Sequence, residues 1–156
     1  YCSAEPNSLF QAKLAEKYLD QAGIKWKEYT AADSNEIQAV VTNAIAECNC
    51  VYIPTDNTMA NNMEIVKNLT VPAKIPVICG EPNMVKAGGL ATYGIDYYKL
   101  GVQTGHMAAD ILEGKKPSSM PIEMAKDLKV TVNKANAALL GITFPEDVLK
   151  DADVIE

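Results

Sequence analysis

Hydrophobic positions along this chain switch between a helical period and short unbroken runs. Leu9, Ala12, Leu14, Ala15, Tyr18 and Leu19 recur at helical spacing until Gly23, which predicts a helix N-capped by Asn7 or Ser8, with Pro6 barring the residue before it from the helix. Cys50 to Ile53, Val77 to Gly80 and Leu90 to Ile95 are apolar almost throughout, as strands buried on both faces are. Ile24 to Thr30, with Trp26 and Tyr29, reads as another short strand with Trp26 packed on the sheet. Tyr1-Cys2-Ser3-Ala4 reads as the end of a strand whose apolar body lies upstream. Asp33-Ser34-x-Glu36 offers a cap to a second helix with Ile37, Val40, Val41, Ala44 and Ile45 inward. Further helices are expected over Met59 to Lys67, Met84 to Ala87, Tyr97 to Glu113 and Ala135 to Leu140, with a strand over Leu128 to Val132 and a last turn capped at Pro145-Glu146-Asp147. Strand, polar turn and helix recur in that order, which implies right-handed crossovers. The fold predicted is α/β, a three-layer doubly wound parallel sheet.

The chain is organised around Val51-Tyr52-Ile53-Pro54-Thr55-Asp56-Asn57-Thr58. A buried strand stops at a proline and delivers polar groups to a helix start, where N–H groups lack partners and the dipole favours an anion. In a parallel sheet the carboxyl ends of strands are where ligands bind. Asp56 suits the ammonium of an amino acid, or caps the helix behind it. Asn57 and Thr58 suit a ligand carboxylate, or cap in their turn. Asn7 and Ser8 repeat the layout after the first strand. Glu81 and Asp96 follow strands likewise, Glu81 toward a crevice and Asp96 there or at a hinge, capping the helix that follows.

Composition narrows the chemistry. Among 156 residues, 14 are basic and 20 acidic, a net charge of −6, which disfavours a nucleic-acid surface or an anionic membrane. Apolar runs are too short for a bilayer-spanning helix. The four cysteines, at 2, 48, 50 and 79, match neither paired metal-ligand spacing nor a disulfide scaffold; Cys50 and Cys79 are expected as small buried strand residues. The lone His106 has no partner for metal binding or nucleophilic catalysis. No nucleophile elbow, dinucleotide-binding turn or phosphate-binding lysine loop is present, so no catalytic residue, cofactor or metal is expected. The opening Tyr1-Cys2-Ser3, without initiator Met or leader, is expected in a processed or partial chain.

Ala4-Glu5-Pro6-Asn7-Ser8, Pro54-Thr55-Asp56-Asn57-Thr58, Pro76-Val77 before Glu81-x-x-Met84-Val85-x-x-Gly88, and Gly94-Ile95-Asp96-Tyr97-Tyr98-x-Leu100-Gly101, followed by Ile111-Leu112-Glu113-Gly114-Lys115-Lys116-Pro117, together resemble one family. It is the ABC-transporter substrate-binding proteins of the tryptophan/tyrosine-type group, with the type I periplasmic-binding-protein fold. The resemblance implies one lobe of a two-lobed clamshell: a ligand-binding α/β lobe over 1–95, then a hinge-return and C-terminal segment over 96–156. It implies an extracytoplasmic component of an ABC importer, periplasmic or lipid-anchored to the outer face of the cell membrane, that binds a small amino-acid-like ligand, aromatic by preference, at Asn7, Ser8, Thr55, Asp56, Asn57, Thr58, Glu81 and Asp96. The partners implied are that ligand and an ABC permease. Leu100, Thr104, Met107 and Ile111 form a helix stripe that leans on the first lobe in the resembled fold; uncovered, it invites a dimer or segment exchange. The alternatives are the effector-binding core of a transcription regulator, which shares the fold type, and a flavodoxin-like enzyme domain.

Overall fold

The computed structural model describes residues 1–156. Five short strands form one sheet in sequence order: β1 (Val51–Ile53), β2 (Val77–Cys79), β3 (Ala91–Ile95), β4 (Leu128–Asn133) and β5 (Asp153–Ile155). The first three run parallel, with Val51 opposite Val77 and Ile78 opposite Ala91. Parallel neighbours need a crossover, and α3 (Asn57–Asn61) with α4 (Met63–Thr70), then α5 (Pro82–Lys86), supply it. β4 departs from the all-parallel expectation by pairing antiparallel with β3, Ile95 opposite Leu128. The reason is the path between them. α6 (Tyr97–Leu112) leads away from the end of β3 and the segment after it leads back, so that the Asp96 N–H meets the Asp127 carbonyl at 3.4 Å and β4 starts where β3 stops. After α7 (Lys134–Leu140) and α8 (Glu146–Leu149), β5 joins β4 in parallel. Its three residues begin with an aspartate and carry no periodicity, which hides it in the sequence.

Alternation along β2 shows why both faces are covered. Val77 and Cys79 are buried with Ile37, Val41, Met63, Val66 and Met84 beneath α2 (Ile37–Glu47), α4 and α5. Ile78 turns the other way, against Leu90, Ala137 and Leu140 of the α7 side. Each large aliphatic chain sealed in the first cluster contributes about 1.5–3 kcal/mol. Met59, Met63 and Met84 belong to that core. The α7 side is tied by amides: Asn133 Nδ2 donates to Val85 O at 3.0 Å and Asn136 Nδ2 to Gly88 O at 2.6 Å.

Local chemistry corrects several expectations. α1 (Pro6–Gln21) takes Glu5, not Asn7 or Ser8, as its N-cap residue, because Pro6 already sits at the first helical position. The helix expected from Met59 to Lys67 is two helices, broken at Asn62 (φ −118°, ψ 18°), whose backbone N–H donates to Met59 O at 3.0 Å and whose side-chain Nδ2 donates to Thr58 O at 2.8 Å. Ile24 to Thr30 belongs to no strand, and only Ala31 pairs, in a parallel bridge with Cys2. Trp26 is therefore not packed on the sheet; it is 41% exposed and its Nε1 donates to Asp20 Oδ1 at 2.7 Å. Cys79 is buried as expected, whereas Cys50 is exposed, because β1 starts one residue later at a sheet edge with no neighbour strand. All four cysteines are free thiols.

Candidate functional site

Because β1, β2 and β3 are parallel, the turns at their carboxyl ends, 54–58, 80–82 and 96–97, open on one rim of the sheet. They are packed directly on one another. Thr55 Oγ1 donates to Gly80 O at 3.3 Å, and a Cβ at Gly80 would stand 2.3 Å from Thr55 N, so glycine alone lets the first two turns approach. A Cβ at Gly94 would stand 3.3 Å from Pro82 Cδ, which brings the end of β3 to the same place. The start of α1 joins them: Asn7 Nδ2 and Ser8 Oγ donate to Thr55 O at 2.8 and 3.0 Å, and Gln11 Oε1 accepts the Thr55 N–H at 2.8 Å.

The rim acids bond mainly to backbone N–H groups. Asp56, 1% exposed, accepts the Met59 N–H on Oδ1 at 2.8 Å and the Cys2 N–H on Oδ2 at 2.7 Å. Glu81, 6% exposed, accepts the Asn83 and Met84 N–H groups at 2.9 and 2.6 Å and so caps α5. Asp96 caps α6 through the Lys99 N–H at 3.1 Å. The start of α3 is occupied by Glu5, which accepts the Asn57 and Thr58 N–H groups at 2.9 and 2.7 Å and the Thr58 hydroxyl at 2.8 Å. Burial pushes the Glu5 carboxyl up, but these bonds outweigh it and hold its pKa at about 2.

Of the sequence-predicted residues, Asn7 and Asn57 are exposed, Thr55, Thr58 and Asp96 half-buried, and Ser8, Asp56 and Glu81 buried. All eight lie on this rim. Three rim residues were absent from that set: Glu5, Gln11 and Tyr97. Glu5 meets partners 52 and 53 positions away, so only its place just before Pro6 hinted at a cap. Tyr97 opens α6 and is 46% exposed; burial raises its phenol pKa, and the neighbouring Glu81 charge raises it further. No three His, Cys, Asp or Glu side chains converge as a metal requires, and His106 is exposed on α6.

Comparison with known proteins adds independent findings. A family model described as ABC transporter substrate binding protein matches residues 1–155. A curated tyrosine-binding protein from Clostridioides difficile is 31% identical over 134 residues, 86% of this chain and 39% of its own length. A solved ABC domain in complex with L-Trp from Streptococcus pneumonia is 35% identical with a TM-score of 0.92, covered by this chain over 53% of its length and covering all of it. The ligand-free, open structure of a substrate-binding protein with adhesive properties from Clostridium difficile matches the whole chain at 34% identity and a TM-score of 0.78, over 52% of its own length. The chain thus spans about half the length of these solved relatives and less of the curated one.

Proposed function

The chain belongs to the ABC transporter substrate-binding protein family, whose members bind ligands rather than catalyse reactions, and from that premise we propose that it serves an importer as an extracytoplasmic solute-binding component, periplasmic or lipid-anchored to the outer face of the cell membrane. Its ligand is amino-acid-like and aromatic, and a membrane permease receives it. The observation that carries this reading is the convergence of three strand ends and the α1 start on one rim, linked through Thr55. The neighbour that holds L-Trp and the relative named for tyrosine favour an aromatic side chain. Family membership sets aside the regulator and flavodoxin-like alternatives. No helix is long and apolar enough to cross a membrane.

On this reading Asn7, Thr55, Asn57 and Thr58, which reach the surface of the rim, exchange their bonds to Thr55 O, Gly80 O and Glu5 for bonds to the ligand carboxylate, and Asp96 presents negative charge to its ammonium. Ser8, Asp56 and Glu81, whose side chains are buried, serve the same site from behind by fixing the turns. Residues 1–95 form the binding lobe; 96–156 return from the hinge and complete the sheet. Closure against a first lobe creates contacts present only in the shut state, which ligand therefore populates. One lobe alone gives little surplus over the cost of association. α6 has no buried residue in this chain, which fits a face that leans on the first lobe or, uncovered, on a second copy.

A thermal-shift screen of the full-length protein against the proteinogenic amino acids tests the reading. L-Trp or L-Tyr is expected to give the largest rise in Tm; a flat profile, or a top rank for sugars or nucleosides in a parallel screen, overturns it.

A further inference from the structure

The first two turns of the rim are polar almost throughout. They bring Thr55, Asp56, Asn57, Thr58 and Glu81 to it, and their only apolar side chains are the small rings of Pro54 and Pro82. Asn7, Ser8 and Gln11 all reach Thr55, which fixes the side of α1 that faces these turns. Leu9 and Phe10 lie about 100° or more around the helix from the middle of that side. A bound aromatic ring needs apolar surface against it. Neither α1 nor the first two turns supplies a large one.

The turn after β3 does. Gly94 lets the end of that strand press on the second turn, since a Cβ there would stand 3.3 Å from Pro82 Cδ and 3.5 Å from Glu81 Cα. Asp96 then caps α6 through the Lys99 N–H at 3.1 Å, which orients the first helical residue, Tyr97. Tyr97 is 46% exposed and near enough to Glu81 for that charge to add to burial in raising its phenol pKa. The next residue, Tyr98, is turned about 100° around the helix and is 81% exposed. The neutral ring of Tyr97 is thus the aromatic surface that lies against the rim.

Resting on the functional reading above, we propose that Tyr97 is a specificity-determining residue of the site, its ring packing against the aromatic side chain of the ligand. Three substituents of one α-carbon then meet different parts of the rim. The carboxylate meets 54–58 and the ammonium meets Asp96. The side chain leaves the same carbon as the ammonium, and so meets the residue beside Asp96. Offset or edge-to-face contact between two rings favours an aromatic ligand over an aliphatic one of similar reach. The contact uses the ring and not the hydroxyl, so phenylalanine serves in its place.

Isothermal titration of the full-length protein with L-Trp, L-Tyr and L-Leu tests this. Tyr97→Leu is expected to weaken L-Trp and L-Tyr about tenfold without weakening L-Leu, whereas Tyr97→Phe keeps the native preference. A second measurement leaves the site intact. In the spectrum of ring-labelled tyrosines, the signal that Tyr97→Phe removes is expected to move when L-Trp is added to the unaltered protein, through the ring current of the indole, and to stay in place with L-Leu. An unchanged preference in Tyr97→Leu, whether or not affinity falls for all three ligands, or a Tyr97 ring signal indifferent to L-Trp overturns the inference and leaves the functional reading standing. An unaltered protein that binds neither aromatic amino acid overturns that reading and the inference with it.

Discussion

Glu5 and Thr58 are joined twice, Glu5 Oε1 accepting the Thr58 backbone N–H at 2.7 Å and its hydroxyl at 2.8 Å. The other oxygen accepts the Asn57 N–H at 2.9 Å. One carboxylate at the start of α1 thus satisfies amides that open α3, and two turns far apart in sequence move as one body.

That latch sets an acid dependence. The folded pKa of Glu5, about 2, lies below its ordinary value of 4.5, so its contribution is fully present above pH 4.5 and is lost as pH falls toward 2. Thermal melts across that window are expected to show a steeper loss of Tm for the native chain than for Glu5→Gln, which does not titrate. Parallel curves would contradict the latch.

Asp56 is the costlier acid to remove. Its two oxygens satisfy the Met59 and Cys2 N–H groups, and both bonds are buried. Each buried donor left unpaired costs about 1–3 kcal/mol, so Asp56→Ala is expected to lower unfolding free energy by about 2–4 kcal/mol in urea titrations. A loss below about 1 kcal/mol, the size of a simple exposed cap, would show that Cys2 finds another acceptor.

Gly89 and Cys79 test the packing behind the rim. A Cβ at Gly89 would stand 2.2 Å from Cys79 Sγ. Gly89→Ala is expected to cost about 1–3 kcal/mol by overpacking, and Cys79→Ala in the same chain to recover part of it. Strict additivity of the two changes would deny the contact.

α6 presents Tyr98, Val102, Ile111 and Leu112 to solvent. On the reading of α6 as a covered face, sedimentation is expected to show reversible self-association at high protein concentration, weakened by Ile111→Lys with Leu112→Lys. A strictly monomeric species at the highest soluble concentration would remove the face from the account.

Much of this was legible in the chain. The uniform apolar runs at Val51 and Val77 marked buried parallel strands, and the acids after β1, β2 and β3 marked their carboxyl ends. What stayed hidden was tertiary. Whether Asp56 faces a ligand or the Cys2 amide depends on a contact 54 residues away, and capping propensity alone cannot separate them. β4 has an ordinary strand pattern; its antiparallel sense comes from the return path after α6. Ile24 to Thr30 has strand propensity but no strand partner, and it forms no strand.

On the proposed function, the rim formed by the α1 start and the ends of β1, β2 and β3 receives an aromatic amino acid. Amide chemical-shift mapping of the isotope-labelled full-length protein during titration with L-Trp and L-Tyr separates this rim from every other surface. Shifts at the non-proline amides of 5–8, 55–58, 81–84 and 96–98 are expected; saturating ligand that leaves all of these amides unmoved would overturn the assignment.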